Sequence, residues 1–62
     1  MNKHWININN LLPKEGTLVA TKIEDRLGTR NIARLIRKGN LWFVPDMSMY
    51  VYYTPTHWQS IQ

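Results

Sequence analysis

The chain has 62 residues, no cysteine and a formal net charge of +4. A domain of this size buries only about 60% of the surface that its unfolded chain exposes, so its core supplies roughly 3–5 kcal/mol of net stability. The absence of cysteine excludes disulfides and thiolate zinc sites, the common ways to reinforce so small a fold. We therefore expect a single domain over residues 1–62, stabilised by an apolar core or by self-association into a homo-oligomer.

The distribution of apolar and charged residues also predicts where in the cell the protein is found. The most apolar stretch, residues 41–53, is interrupted by Pro45, Asp46 and Ser48. It is also shorter than the about 20 residues of a membrane span. The N-terminal residues lack the basic and apolar segments of a signal peptide. These features predict a cytoplasmic protein that does not associate with membranes.

The first third of the chain predicts two strands. Residues 5–8 alternate apolar and polar side chains, as in a short strand. A turn follows, because Pro13 keeps the preceding residue extended and Gly16 can adopt a positive φ. Residues 17–23 are rich in β-branched side chains and predict the second strand.

Residues 29–38 fit two structures. As a helix, the segment places its isoleucines and its leucine in one apolar stripe, with arginines on the opposite side. As a strand, it mixes apolar and basic side chains on both faces. The Gly39-Asn40 pair that follows is nevertheless a common two-residue connection between the strands of a hairpin. The local pattern leaves both structures open.

The last third predicts three strands. The first is residues 41–44, which Pro45 ends. The second is residues 47–53, and the third lies around residues 57–61. In the second, alternation assigns one face to the core and the other to solvent. The core face has Met47, Met49, Val51 and Tyr53, and the outward face includes Tyr50 and Tyr52.

Several short motifs share an order and spacing with a known family. They are Trp5-Ile6, Leu12-Pro13-Lys14-Glu15-Gly16, Leu18-Val19, Ile32-Ala33, Trp42 and Thr56-His57-Trp58. Together they resemble the short phage and prophage proteins of domain-of-unknown-function family 551. The resemblance extends from Trp5 to Trp58. One departure is that the family usually has a proline-containing tail after Thr-His-Trp, where this chain has Gln59-Ser60-Ile61-Gln62.

The resemblance implies a setting and a fold, but no chemistry, because the family has no agreed activity. It implies a phage or prophage protein that acts in the cytoplasm of a host cell. It also implies a strand over residues 30–37. We therefore predict an all-β fold, a small antiparallel meander or open barrel of four to five short strands. The alternative is an α+β fold with one helix at 29–38.

No residue set in the sequence indicates catalysis, a metal or a cofactor. Catalysis needs a nucleophile beside a base, paired carboxylates or a metal cluster, and the four carboxylates show none of these spacings. His4 and His57 approach each other if the first and last strands pair. Two imidazoles are still too few for a zinc site. The sequence favours a structural interpretation of both His-Trp dipeptides and predicts a protein that is not an enzyme.

Basic and aromatic residues are the candidate binding residues. They are Arg26, Arg30, Arg34, Arg37, Lys38, Tyr50 and Tyr52. Arginine and tyrosine are common in protein binding hot spots, so we expect the chain to bind a host protein or protein complex, and to inhibit or redirect it. The same residues suit a nucleic acid, because cations neutralise phosphates and aromatic rings stack on bases. A structural homo-oligomer is the third possibility.

Overall fold

The computed structural model describes residues 4–61, which form one antiparallel sheet of five strands. The strands are β1 (Ile6–Asn7), β2 (Leu18–Asp25), β3 (Gly28–Lys38), β4 (Leu41–Phe43) and β5 (His57–Ser60). Across the sheet their order is β1-β5-β2-β3-β4. The predicted all-β class is confirmed. Strands β2 to β4 form a meander, and β5 returns to lie between β1 and β2.

The segment with two possible structures is a strand. Two turns fold it back on its neighbours: Leu27 N–H donates to Asp25 Oδ1 at 2.9 Å in the turn before β3, and Gly39 has a φ of 60° in the turn after it. Glycine adopts this φ without strain, as the first central residue of a II′ hairpin turn requires. Pairing with β2 and β4 satisfies backbone groups that a helix would satisfy internally. Long-range pairing therefore overrides the helical periodicity.

A bulge divides β3 into two parts. Thr21 pairs with Ala33 but Ile23 pairs with Arg30, so one extra residue of β3 lies between these pairs. The backbone accommodates the extra residue at Asn31, which has a left-handed φ of 56°. Asparagine tolerates this conformation better than most residues. Residues 24–32 beyond the bulge are all exposed. The end of the β2–β3 hairpin therefore extends past the core.

The core lies against one face of the sheet. Val19 and Leu35 face each other across β2 and β3, and Trp42 on β4 completes the buried cluster. Partly buried side chains from the loops pack on it, including Ile8 and Val51. Since these come from the segments after β1 and β4, those segments cover this face, which we call the core face. The opposite side of the sheet is called the outer face.

One buried polar group is satisfied within this core. Thr21 is fully buried, and its hydroxyl donates a hydrogen bond of 2.9 Å to the carbonyl oxygen of Ala33 on the neighbouring strand. A buried hydroxyl without a partner costs about 1–3 kcal/mol. The cross-strand bond removes that cost and helps to hold the register between β2 and β3.

The predicted strand at residues 47–53 is wrong, although half of its core assignment holds. Met47 has a φ of 65°, and its N–H donates to Val44 O at 2.8 Å in a turn. The chain returns to β4 around Tyr50: Tyr50 bridges to Phe43, and Val51 N–H donates to Trp42 O at 2.8 Å. Met47 and Met49 are exposed, whereas Val51 and Tyr53 pack on the core. The alternating pattern failed because Met47, its first residue, belongs to the turn after β4, and the chain pairs with β4 only briefly around Tyr50.

We predict that Leu35→Ala destabilises the domain by about 2–5 kcal/mol, because it opens a cavity in a small core. This loss is comparable with the whole expected stability, so much of the variant should be unfolded at room temperature. Urea denaturation followed by tryptophan fluorescence measures the effect. Ile32→Ala is the matched control, since Ile32 lies on the same strand but is 69% exposed. Equal losses in the two variants would contradict the assigned core.

Candidate functional site

Ion pairs neutralise part of the predicted basic row. The guanidinium of Arg30 forms two hydrogen bonds of 3.1 Å with the two carboxylate oxygens of Asp25, across the base of the hairpin turn. This contact lowers the pKa of Asp25 and raises that of Arg30. Lys22 likewise pairs with Glu24 and lowers its pKa. The positive charge of Arg30 therefore lies beside a carboxylate.

Arg37 lies on the core face of β3 and makes structural contacts. Its Nε donates to Pro13 O at 3.0 Å, and its Nη1 donates to Gly39 O at 2.9 Å. Glu15 completes the cluster, 3.6 Å from the guanidinium, and accepts the N–H of Gly39 at 2.9 Å. Arg37 thus joins the turn before β2 to the β3–β4 hairpin. It lies on the other face of the strand from Arg34.

Four basic side chains of the described chain make neither an ion pair nor a hydrogen bond. They are Lys14, Arg26, Arg34 and Lys38. All four are exposed. Arg34 and Lys38 share the outer face of β3, whereas Arg26 lies in the turn at the end of the β2–β3 hairpin. The uncompensated positive charge near β3 is therefore carried by fewer residues than the sequence predicts.

Register aligns an apolar row across the outer face. Leu18 pairs with Ile36, Ile36 pairs with Phe43, and Phe43 bridges to Tyr50. The rings of Phe43 and Tyr50 meet edge to face, with centroids 5.7 Å apart and planes at 69°. Directly paired residues point to the same face of a sheet. These four side chains, which we call the outer row, therefore form a continuous apolar band.

Unpaired cations flank this band on both sides. Arg34 and Lys38 lie two residues before and after Ile36 on β3, about 7 Å away along the strand. Leu41, which pairs with Lys38, is 42% exposed. Tyr50 is 54% exposed at the end of the row. The outer face thus combines aromatic, aliphatic and cationic groups in one patch.

The other predicted residues lie apart from the outer row. Tyr52 is 95% exposed, and its ring meets Tyr53 edge to face at 5.5 Å. Burial raises the pKa of Tyr53. Arg26 lies beside Leu27, which is 83% exposed, so the hairpin end is itself both basic and apolar. Sequence reasoning missed Ile36 and Phe43. The Gly39-Asn40 turn was the available signal, because a two-residue hairpin sets Ile36 opposite Phe43.

The two histidines do not face each other. β1 and β5 do pair, but the register sets His57 opposite Asn7, three residues from His4. His57 Nδ1 instead lies 2.7 Å from the hydroxyl of Thr56. Within residues 4–61 no group of three or more histidine, aspartate or glutamate side chains has a metal-binding arrangement.

A shallow cleft opens beside His57. It has a volume of about 250 Å³ and is lined by residues 7–9, residues 54–57 and Glu24. The Thr56 hydroxyl within it accepts the N–H of Glu24 at 2.8 Å and lies next to His57. The cleft is held by loop contacts to the sheet, and its polar groups bond largely to one another.

Comparison with protein families, curated proteins and solved structures finds no match to this chain. The similarity to domain-of-unknown-function family 551 therefore stays a prediction. In the part of the chain that the structure describes, no helix has the length and hydrophobicity needed to cross a membrane.

We predict that Arg37→Gln lowers the free energy of unfolding by about 1.5–3 kcal/mol, the usual worth of hydrogen bonds made by a charged group. The control is Arg34→Gln, which removes an exposed guanidinium with no described partner and should change stability by less than about 0.5 kcal/mol. Chemical denaturation of both variants measures the difference. A larger loss for Arg34→Gln would contradict the division of β3 into a structural and a free face.

Acid should weaken the fold. The pKa values of Glu24, Asp25 and Asp46 are lowered by hydrogen bonds from Lys22, Arg30 and Ser48. A carboxyl group with a lowered folded pKa stabilises the fold above its unfolded pKa, and this contribution is lost as the pH falls through the folded pKa. Denaturation between about pH 7 and pH 3 should show falling stability below the ordinary pKa of these groups. Asp25→Asn should make the free energy of unfolding depend less steeply on pH. An unchanged pH dependence would contradict the Arg30 contact.

Proposed function

We propose that this chain is a small binding protein that docks on a protein partner through the outer face of its sheet. The observation that carries the proposal is the outer row, flanked by the unpaired cations Arg34 and Lys38. In the phage setting that the sequence resemblance implies, the partner is a host protein or complex, which docking inhibits or redirects.

The composition of the outer face supports a protein partner. Aromatic and arginine side chains carry most of the binding energy in protein interfaces, especially where apolar neighbours exclude water around them. Here Tyr50 and Phe43 lie next to aliphatic groups, and Arg34 lies at the margin of the same patch. Docking would bury the aromatic rings in the centre and leave both cations at the rim.

The position of the core supports the same face. The segments after β1 and β4 cover the core face, and Ile36 and Phe43 on the opposite side remain half-buried. Each Å² of apolar surface removed from water contributes roughly 25 cal/mol. A partner that covers the outer row would therefore supply to the sheet a second apolar contact, which matters in a domain with so small a core.

We expect Tyr50→Ala combined with Arg34→Glu to abolish partner capture while the fold remains intact, because it removes the exposed ring and reverses the flanking charge. The measurement is affinity capture from nuclease-treated host lysate, followed by mass spectrometry and by binding of the purified partner. Tyr52→Ala is the matched control: it removes a tyrosine that is 95% exposed and outside the outer row. Equal loss in both variants would reject the outer face as the docking surface.

Single-stranded nucleic acid is the second candidate, favoured by the unpaired Arg34 and Lys38 beside the rings of Phe43 and Tyr50. Stacking on such rings contributes about 1–3 kcal/mol per base, and each phosphate contact gives a log–log salt slope near −0.7. Titration of labelled oligonucleotides between about 50 and 200 mM salt tests this. Steep salt dependence that Tyr50→Ala weakens would favour nucleic acid, and absence of binding at low salt rejects it.

A further inference from the structure

The side of β3 that faces away from β2 is paired only near its end. β4 pairs with Ile36, Arg37 and Lys38, whereas β2 pairs along β3 as far back as Gly28. Among the described residues, no strand and no backbone hydrogen bond occupies that side of β3 over residues 29–34. β3 therefore presents about 20 Å of open strand edge, at 3.4 Å per residue.

Alternation identifies the backbone groups that point out of this edge. The carbonyl of Ala33 points toward β2, because it accepts the hydroxyl of Thr21. The backbone N–H and C=O groups of Lys38 and Ile36 point toward β4, since Lys38 pairs with Leu41 across the two-residue turn. Arg34, two residues before Ile36, therefore directs its N–H and C=O outward, and the same alternation applies to Ile32. These groups are free to pair with an added strand.

The chain's own fold leaves this edge open. In the register of β4, the residue opposite Arg34 is Pro45, which has no N–H to donate. The chain then turns away, because Met47 N–H bonds back to Val44 O and Met47 adopts a left-handed φ. Strand β4 consequently stops at Phe43. The open edge of β3 follows from this proline turn.

The side chains along the edge select the chemistry of an incoming strand. Arg34 and Ile32 lie on its outer face and are exposed, and Arg34 has no carboxylate partner within the described chain. A residue directly opposite Arg34 would gain from a negative charge. Alternate residues of the added strand would lie on the core face beside Ala33 and Leu35, where apolar side chains fit. An extended segment that alternates acidic and apolar residues matches both faces.

A second copy of this chain is a poor match for the same edge. Edge-to-edge pairing of two β3 strands would bring two sets of exposed cations, including Arg34, close together, and opposed like charges destabilise a sheet. The four carboxylates of the chain are already engaged: Glu15 with Arg37, Glu24 with Lys22, Asp25 with Arg30, and Asp46 with the N–H of Ser48. None of these carboxylates is therefore free to pair with Arg34 of a second copy.

From this geometry we infer that the edge of β3 at residues 29–34 binds an extended acidic segment of the protein partner by strand addition. The inference deepens the proposed function and rests on it: the outer face supplies the docking patch, and the edge takes one strand of the partner. Main-chain hydrogen bonds give affinity in this mode, and side chains on alternate positions give specificity. Arg34 belongs to both surfaces.

The test uses the whole chain and a synthetic octapeptide in which glutamate alternates with valine. In an NMR titration, we expect amide shifts and slower hydrogen exchange at Ile32 and Arg34. A peptide of the same sequence with N-methylated backbone amides keeps the charge but loses the donors. It should bind about tenfold more weakly or worse, because at least two backbone hydrogen bonds are removed. Equal affinity for the two peptides would overturn strand addition.

A charge exchange tests the role of Arg34. Arg34→Glu should lose binding to the glutamate–valine peptide and gain binding to a lysine–valine peptide of the same length. Tyr52→Ala should bind the original peptide as the wild type does, since its side chain is 95% exposed and lies outside the outer row. If the variant Arg34→Glu keeps its affinity for the acidic peptide, the assigned pairing is wrong.

The outcomes separate this inference from the proposed function. Shifts centred on Phe43 and Tyr50 without protection at Ile32 and Arg34 would overturn the edge and leave the outer face as the docking surface. If the peptide slows amide hydrogen exchange at Ile32 and Arg34 but Tyr50→Ala has no effect on partner capture, the outer face is rejected. The edge of β3 then remains as the binding surface. Protection of the edge in the free protein that rises with protein concentration would show that a second copy occupies it, which also overturns the inference.

Discussion

The antiparallel pairing of β2 with β3 is the contact on which the rest of the molecule depends. It sets Val19 against Leu35 and Thr21 against Ala33, so it places two of the three members of the buried cluster and the buried hydroxyl of Thr21. β5 then pairs on the free side of β2, and β4 on the far side of β3. A one-residue change of this register would turn the core residues to the outer face. Such a change is therefore strongly disfavoured.

The same pairing separates the arginines of β3 by role. Because side chains alternate along a strand, Arg37 enters the core face, where backbone carbonyls and Glu15 hold it, while Arg34 remains on the outer face. The bulge at Asn31 shifts the pairing register of β3 with β2 by one residue. Before the bulge, Arg30 forms an ion pair with Asp25. A sequence row of five cations thus becomes one structural group, one ion pair and a few free charges.

Two turns place the outer row and the open edge of β3 next to each other. The Gly39-Asn40 hairpin sets Phe43 beside Ile36, which extends the apolar row, and the Pro45 turn brings Tyr50 back to end it. The same proline turn stops β4 early and leaves β3 with an open edge beside Arg34. Natural proteins protect such edges with bulges and charged side chains, and both are present here. The inferred strand addition is compatible with both, because a strand of opposite charge would meet Arg34 favourably whereas a second copy would not.

The sequence by itself determined four of the five strands to within two residues, with them the all-β class, and the exposure of Tyr50 and Tyr52. These depend on local chemistry: β-branched runs, prolines that end strands, and glycines that turn them. The local pattern of residues 29–38 left strand and helix open, because its helical periodicity is local whereas the β2 and β4 pairing that overrides it is not. Only the family resemblance favoured the strand. Residues 47–53 were misread as a strand for a related reason: their alternation is local, whereas the pairing with β4 that a strand needs is limited to the surroundings of Tyr50.

Only the tertiary structure decided which candidate residues share a surface. The Gly39-Asn40 turn already sets Ile36 opposite Phe43, but the bridge that brings Tyr50 to Phe43 is a relation that no local pattern encodes. Arg37 is not one of the free cations, because its guanidinium donates hydrogen bonds to the carbonyls of Pro13 and Gly39 in the folded state. The open edge of β3 likewise follows from the different lengths of neighbouring strands. Composition established that the chain carries cations and rings, and pairing decided where they meet.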